Sequence, residues 1–136
     1  MSLIEMGLDF KTAQKQAEKA SLPAPNGRYN LQCLAVDTKD ANGEVLKTGK
    51  GQAKARFTLS IVGNADPELN GKKLYVNANL PDNGNFTGVI HLVNLLNAMK
   101  RTWQGSGFET TSCIGATLTA NLVVSKDGKW NEIESY

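Results

Sequence analysis

The sequence predicts a mainly β fold, a five-stranded, partly open barrel with one helix between the third and fourth strands and another ahead of the first. Three observations carry that expectation. Apolar and polar residues alternate with a period of two over five separate stretches. The period changes to that of a helix once within them, between Pro81 and Met99. The pair Asp127-Gly128 then joins the last two stretches, because Asp-Gly supplies the positive φ angles of a tight hairpin turn.

At 136 residues the chain fits one domain with one real core. Residues 1–26 read as a helical extension and linker, and 27–136 as the barrel. In the extension, residues 3 to 20 carry Lys11, Lys15 and Lys19 at helical spacing. Asp9 is suited to cap the helix, since its carboxylate accepts a free backbone N–H. Leu22-Pro23-Ala24-Pro25-Asn26-Gly27 ends it, because proline cannot continue a helix and Asn-Gly favours a turn.

In the first strand Tyr29, Leu31, Cys33 and Ala35 alternate with Arg28, Asn30 and Gln32. Leu34 and Val36 interrupt the polar side, so cover on both faces is expected at that end. Asp37 to Gly51 is a long connection, read as a protruding hairpin, and it carries Lys39, Lys47 and Lys50. The second strand is the clearest: Ala53, Ala55, Phe57, Leu59 and Ile61 point one way and Lys54, Arg56, Thr58 and Ser60 the other. The third places Leu74, Val76, Ala78 and Leu80 inside, with Lys73, Tyr75, Asn77 and Asn79 outside.

Val89, Leu92, Val93, Leu96 and Met99 then form one apolar helical stripe. In the fourth strand Ala116, Leu118, Ala120, Leu122 and Val124 alternate with Thr117, Thr119 and Asn121. Trp130 to Tyr136 is the last strand, with Ile133 its surest inward residue. Three strands, a helix and a two-stranded hairpin match the order of the OB-fold, whose second and third strands bind oligonucleotides or oligosaccharides. An open α+β sheet backed by the same helix is the competing architecture.

Composition excludes several classes. No apolar run approaches the ~20 residues of a membrane span. Met1 to Phe10 carries Glu5 and Asp9 and has no continuous apolar core, so it does not read as a secretory leader. A cytoplasmic protein is expected. Cys33 and Cys113 are the only cysteines and neither has metal-ligand spacing, so no disulfide, metal or cofactor is expected. His91 stands alone on the helix, Asp37 and Asp40 lie in a lysine-rich loop, and Gly49-Lys50-Gly51 lacks phosphate-loop spacing. An enzyme is not expected.

Certain pieces of the chain taken in order resemble small phage-encoded single-stranded DNA-binding proteins of OB fold, and related uncharacterised phage proteins. They are Gly7-Leu8-Asp9-Phe10, Leu22-Pro23 leading into Gly27-Arg28-Tyr29, Phe57-Thr58-Leu59, Leu69-Asn70-Gly71-Lys72-Lys73-Leu74 and Asn131-Glu132-Ile133. The resemblance implies non-catalytic binding of single-stranded DNA during replication or recombination in a bacterial host cell, with proteins of those processes as partners. Such proteins often end in an acidic tail; Glu132-Ile133-Glu134-Ser135-Tyr136 instead reads as strand.

The net charge of +2, from 15 basic and 13 acidic residues, announces no polyanion partner. Its distribution says more. Between Arg28 and Leu80 the chain holds eight basic residues against five acids, while the rest is balanced. If the second and third strands pair antiparallel, Lys54, Arg56, Lys73 and Tyr75 share one surface, with Asn77 beside them. Single-stranded DNA needs cations along its phosphates and flat side chains for its bases. Lys39, Lys47 and Lys50 would join if their loop folds over a strand. Trp130, on the polar phase of the last strand, is a further stacking candidate, with a subunit interface as its alternative. Trp103 reads as a plug for the barrel end, with stacking as its alternative. The same outward lysines and threonines also serve a barrel that simply stays soluble. A reading of another class is a protein-interaction module using the first helix and the strand edges, and self-association is compatible with either.

Overall fold

A computed structural model describes residues 7, 9–102, 105 and 109–136. Trp103 lies outside the described residues, as do residues 3–6 and 8 of the expected first helix. Helix α1 (Phe10–Ser21) precedes strands β1 (Gly27–Asp37), β2 (Lys54–Ile61) and β3 (Lys73–Asn79). Helix α2 (Val89–Ala98) follows, then a 3₁₀ turn (Thr110–Cys113), β4 (Thr117–Val124) and β5 (Asn131–Ser135). All ladders are antiparallel in the order β3-β2-β1-β4-β5. The free edges of β3 and β5 approach each other, so the sheet is a nearly closed, OB-like barrel.

The inward row predicted for β2 is realised, Ala55, Phe57, Leu59 and Ile61 being buried, but Ser60, expected outward, is buried as well, so the alternation of exposure ends at Leu59. Leu74 and Ala78 of β3, with Leu118, Ala120 and Leu122 of β4, complete the sheet's contribution to the core. Helix α2 fills the barrel through Leu92, Leu95, Leu96 and Met99. Burying each large apolar side chain contributes about 1.5–3 kcal/mol, so this inner row dominates stability.

One expectation for β1 fails. The register shifts between Cys33 and Ala35, leaving Leu34 as the extra residue of a β-bulge. Beyond it the phase inverts. Val36 packs against the core opposite Phe57, while Ala35 and Asp37 move to the outer row opposite Thr58 and Arg56. A strict period of two cannot register an inserted residue, which is why Ala35 reads as inward.

The long connection is not a plain hairpin. Leu46 donates its N–H to the Thr38 carbonyl at 2.9 Å and accepts from Lys54 N–H at 3.0 Å. Bridges pair Lys39 with Val45 and Lys47 with Ala53. The segment is thus a short meander that inserts between the diverging ends of β1 and β2. Asp40 Oδ1 accepts from Asn42 and Glu44 N–H, closing the first of its turns.

The ends of both helices follow local chemistry. Asp9 caps α1 by accepting the Thr12 N–H at 2.7 Å. Gly88 precedes α2 at φ 73°, and a Cβ there would stand 2.6 Å from Asn79 Nδ2, so any other residue has to displace that side chain and bear the left-handed backbone. At the other end of α2, Arg101 N–H reaches Leu96 O at 2.8 Å and Lys100 N–H reaches Asn97 O at 3.0 Å. This paired closure normally uses glycine at the left-handed position. Lys100 occupies it at φ 57°, a conformation costing a side-chain-bearing residue roughly 1–2 kcal/mol.

Both cysteines are buried and free. Burial pushes the Cys33 thiol up to about 11, with Cys113 adding to the shift, so it stays protonated and inert at neutral pH. No helix of the described residues is long and apolar enough to cross a membrane.

Candidate nucleic-acid interface

The outer face of β2 and β3 is built by direct cross-strand pairing. Lys54 stands opposite Asn79, Arg56 opposite Asn77, Thr58 opposite Tyr75 and Ser60 opposite Lys73. Side chains so paired lie about 4.5–5.5 Å apart at Cβ, close enough to act on one ligand. Tyr75 is 60 % exposed although it lies mid-strand. An exposed aromatic in that position offers an unoccupied stacking plane.

Tyr75 does not stand alone. Together with Lys73, Asn77 and Trp130 it lines a groove of about 460 Å³ at the seam between β3 and β5. Trp130 immediately precedes β5 and is 59 % exposed. Its position follows from the hairpin before it: Ser125 N–H bonds to Trp130 O at 2.8 Å, and Asp127 accepts from the Ser125 hydroxyl and from Lys129 N–H. Those two hydrogen bonds hold the Asp127 carboxyl below its ordinary value.

The wall of the groove comes from the linker after α1. Asn131 is buried in the inward row of β5, and its amide bonds both ways with Ala24: Nδ2 donates to Ala24 O at 2.8 Å, and Oδ1 accepts Ala24 N–H at 2.9 Å. Tyr29 OH donates to Pro25 O at 2.7 Å, and Lys72 Nζ to Leu22 O at 2.7 Å. The linker is therefore laid along the barrel, with Leu22 and Pro23 beside Trp130 in the groove.

Of the nine residues singled out in sequence, four meet in this groove: Lys73, Tyr75, Asn77 and Trp130. Lys54 and Arg56 occupy the same sheet face one strand away. Arg56 also pairs with Asp37 across β1 at 3.7 Å, a consequence of the bulge that turned Asp37 outward. Lys39, Lys47 and Lys50 are exposed on the meander, which continues the sheet from its Lys54 end, away from Lys73.

Sequence reasoning missed Asn131, Lys129 and Glu132 as groove components. Asn131 had a signal: it is a polar residue on the same inward phase as Ile133. Glu132 places a carboxylate among the cations. That charge disfavours a phosphate inside the groove and suits an N–H donor on the edge of a base. Among the described residues no group of three or more His, Cys, Asp or Glu side chains is arranged to hold a metal.

Comparison of the chain with family models, with curated proteins and with solved structures returned no match.

Proposed function

We propose that the chain is a non-catalytic, sequence-tolerant binder of single-stranded DNA, serving phage DNA replication or recombination in the bacterial cytoplasm. One observation carries the reading: two exposed aromatic side chains far apart in the sequence, Tyr75 of β3 and Trp130 before β5, line one groove with Lys73 and Asn77. Bases stack in the groove on these planes, each worth about 1–3 kcal/mol. Phosphates pass outside it, over Lys73, Lys54 and Arg56 on the sheet face, with the meander lysines extending the track. The place in phage replication and recombination rests on the family resemblance of the sequence pieces named above.

Titration of oligo-dT against tryptophan emission, in a Trp103→Phe background so that Trp130 alone reports, tests the proposal. Quenching is expected, with log K falling by about 0.7 per unit log salt for each phosphate neutralised. Absence of binding at low salt, or tighter binding to duplex, overturns it.

A second reading, a protein-interaction module, has one observation in its favour. Helix α1 presents Phe10 80 % exposed, and among its described side chains only Ala13 is half-buried. If Lys73→Ala with Tyr75→Ala leaves DNA affinity intact while a replication or recombination protein is still captured, this second reading replaces the first.

A further inference from the structure

A second cleft, of about 600 Å³ and sharing no lining residue with the groove at Tyr75 and Trp130, opens between the end of α2 and the start of β4. Its volume lies within the range of small-molecule sites. Lys100 and Arg101 stand at one wall, Asn30, Thr117 and Thr119 at the other, and no acid lines it among the described residues.

Three features set it apart from a solvated surface hollow. Lys100 is held in the left-handed conformation by the closure of α2, at a position where glycine would be free of strain. Strain kept where a simpler residue would relieve it is a pointer to function. Arg101 is tethered by Nε, which donates to Ser112 O at 3.0 Å, and more loosely by Nη1, which donates to Lys100 O at 3.5 Å, while Nη2 carries no hydrogen bond among the described residues. Thr119 Oγ1 donates to Asn30 Oδ1 at 3.0 Å, which fixes the Asn30 amide with its nitrogen unbonded among the described residues. Two cations, fixed amide donors and the half-buried apolar surface of Val62 and Ala98 face one space.

We propose that this cleft binds a nucleotide unit, with its phosphate on Lys100 and Arg101 and its base between Asn30 and the apolar floor. A planar guanidinium suits the phosphate oxygens, and the amide suits a base edge. The unit is either a free mononucleotide or one nucleotide of a bound strand. This proposal stands apart from the groove at Tyr75 and Trp130, and holds whether or not that groove binds DNA.

The experiment is an amide NMR titration of the full chain with dTMP and, separately, with oligo-dT, following Lys100, Gly115, Thr117 and Thr119. Shifts with dTMP assign the site to a free nucleotide. Shifts with oligo-dT alone, persisting in Tyr75→Ala, assign it to a strand. Lys100→Gly removes the charge while giving the helix end its preferred residue, so it is expected to melt no lower than the wild type yet bind about tenfold more weakly. Arg101→Lys, which keeps the charge without the planar fork, is expected to retain part of the affinity. Cleft amides unmoved by either ligand, or Lys100→Gly binding as tightly as the wild type, overturns the proposal.

Discussion

Asn131 and Ala24 form a closed pair: the side-chain amide of one donates to and accepts from the backbone of the other, at 2.8 and 2.9 Å, with both residues buried. The asparagine thereby acts as a one-residue strand partner for the linker. It couples the segment after α1 to β5 beside the groove that Trp130 lines.

Asn131→Ala leaves the N–H and C=O of Ala24 buried without partners. Each such group costs about 1–3 kcal/mol, so urea denaturation is expected to show a loss of that order or more. Because the linker forms the groove wall, oligo-dT affinity is expected to fall as well. An unchanged urea midpoint would remove the clamp from the account.

Much of this architecture is legible in local pattern, and what is not has identifiable causes. The inward row of β2, the stripe of α2 and the Asp127-Gly128 turn each depend on neighbours a few residues away, and each appears in the structure. The bulge at Leu34 is not legible in the sequence, because an extra residue leaves no mark in a chain that is apolar on both sides of it. Asn131 was hidden by its type: an amide in a core row has meaning only once Ala24 is known to lie opposite. Tyr75 and Trp130 are each visible as outward aromatics. Their meeting depends on closure of the sheet between β3 and β5, which no local pattern encodes.

The bulge also bears on the binding face through Asp37. Asp37 and Arg56 are each about half exposed, so their pair contributes no more than about 0.5 kcal/mol to stability. Asp37→Asn is therefore expected to leave the melting temperature nearly unchanged. By releasing Arg56 to phosphate it is expected to raise oligo-dT affinity at low salt and to steepen the salt dependence by up to one phosphate equivalent. Equal salt slopes in the two proteins would exclude Arg56 from the DNA path.

Gly88 joins the loop after β3 to α2 in a left-handed conformation against Asn79. Asn79 Nδ2 and Gln52 Nε2 both donate to Thr87 O at 3.0 Å, so the space a Cβ needs is held by a bonded network. Gly88→Ala is expected to cost at least about 1 kcal/mol, through strain and displacement of Asn79. Thermal denaturation reads it directly, and a neutral substitution would show that the network yields.

Alkaline stability follows from the buried thiol. Cys33 has a folded value raised from 9.0 to about 11, chiefly by burial. The folded state therefore holds its proton where the unfolded state has lost it. The stability this contributes is intact below pH 9 and is lost as pH rises from there through about 11. Tyr136, raised from 10.0 to about 12 by partial desolvation although its side chain remains exposed, extends the loss upward. Urea midpoints at pH 8 and pH 10.5 are expected to differ less in Cys33→Ala than in the wild type. The same difference in both would assign the alkaline loss elsewhere.

The central claim is that Tyr75 and Trp130 act on the same stretch of single-stranded DNA, and a double-mutant cycle at this pair tests it most directly. Oligo-dT affinity is measured at low salt for the wild type, Tyr75→Ala, Trp130→Ala and the double variant, with circular dichroism confirming that each is folded. Each single substitution is predicted to weaken binding by about 1–3 kcal/mol, and the double by less than their sum, because two planes stacking bases of one strand in a shared groove are coupled. Affinities unchanged in the folded double variant would contradict the account.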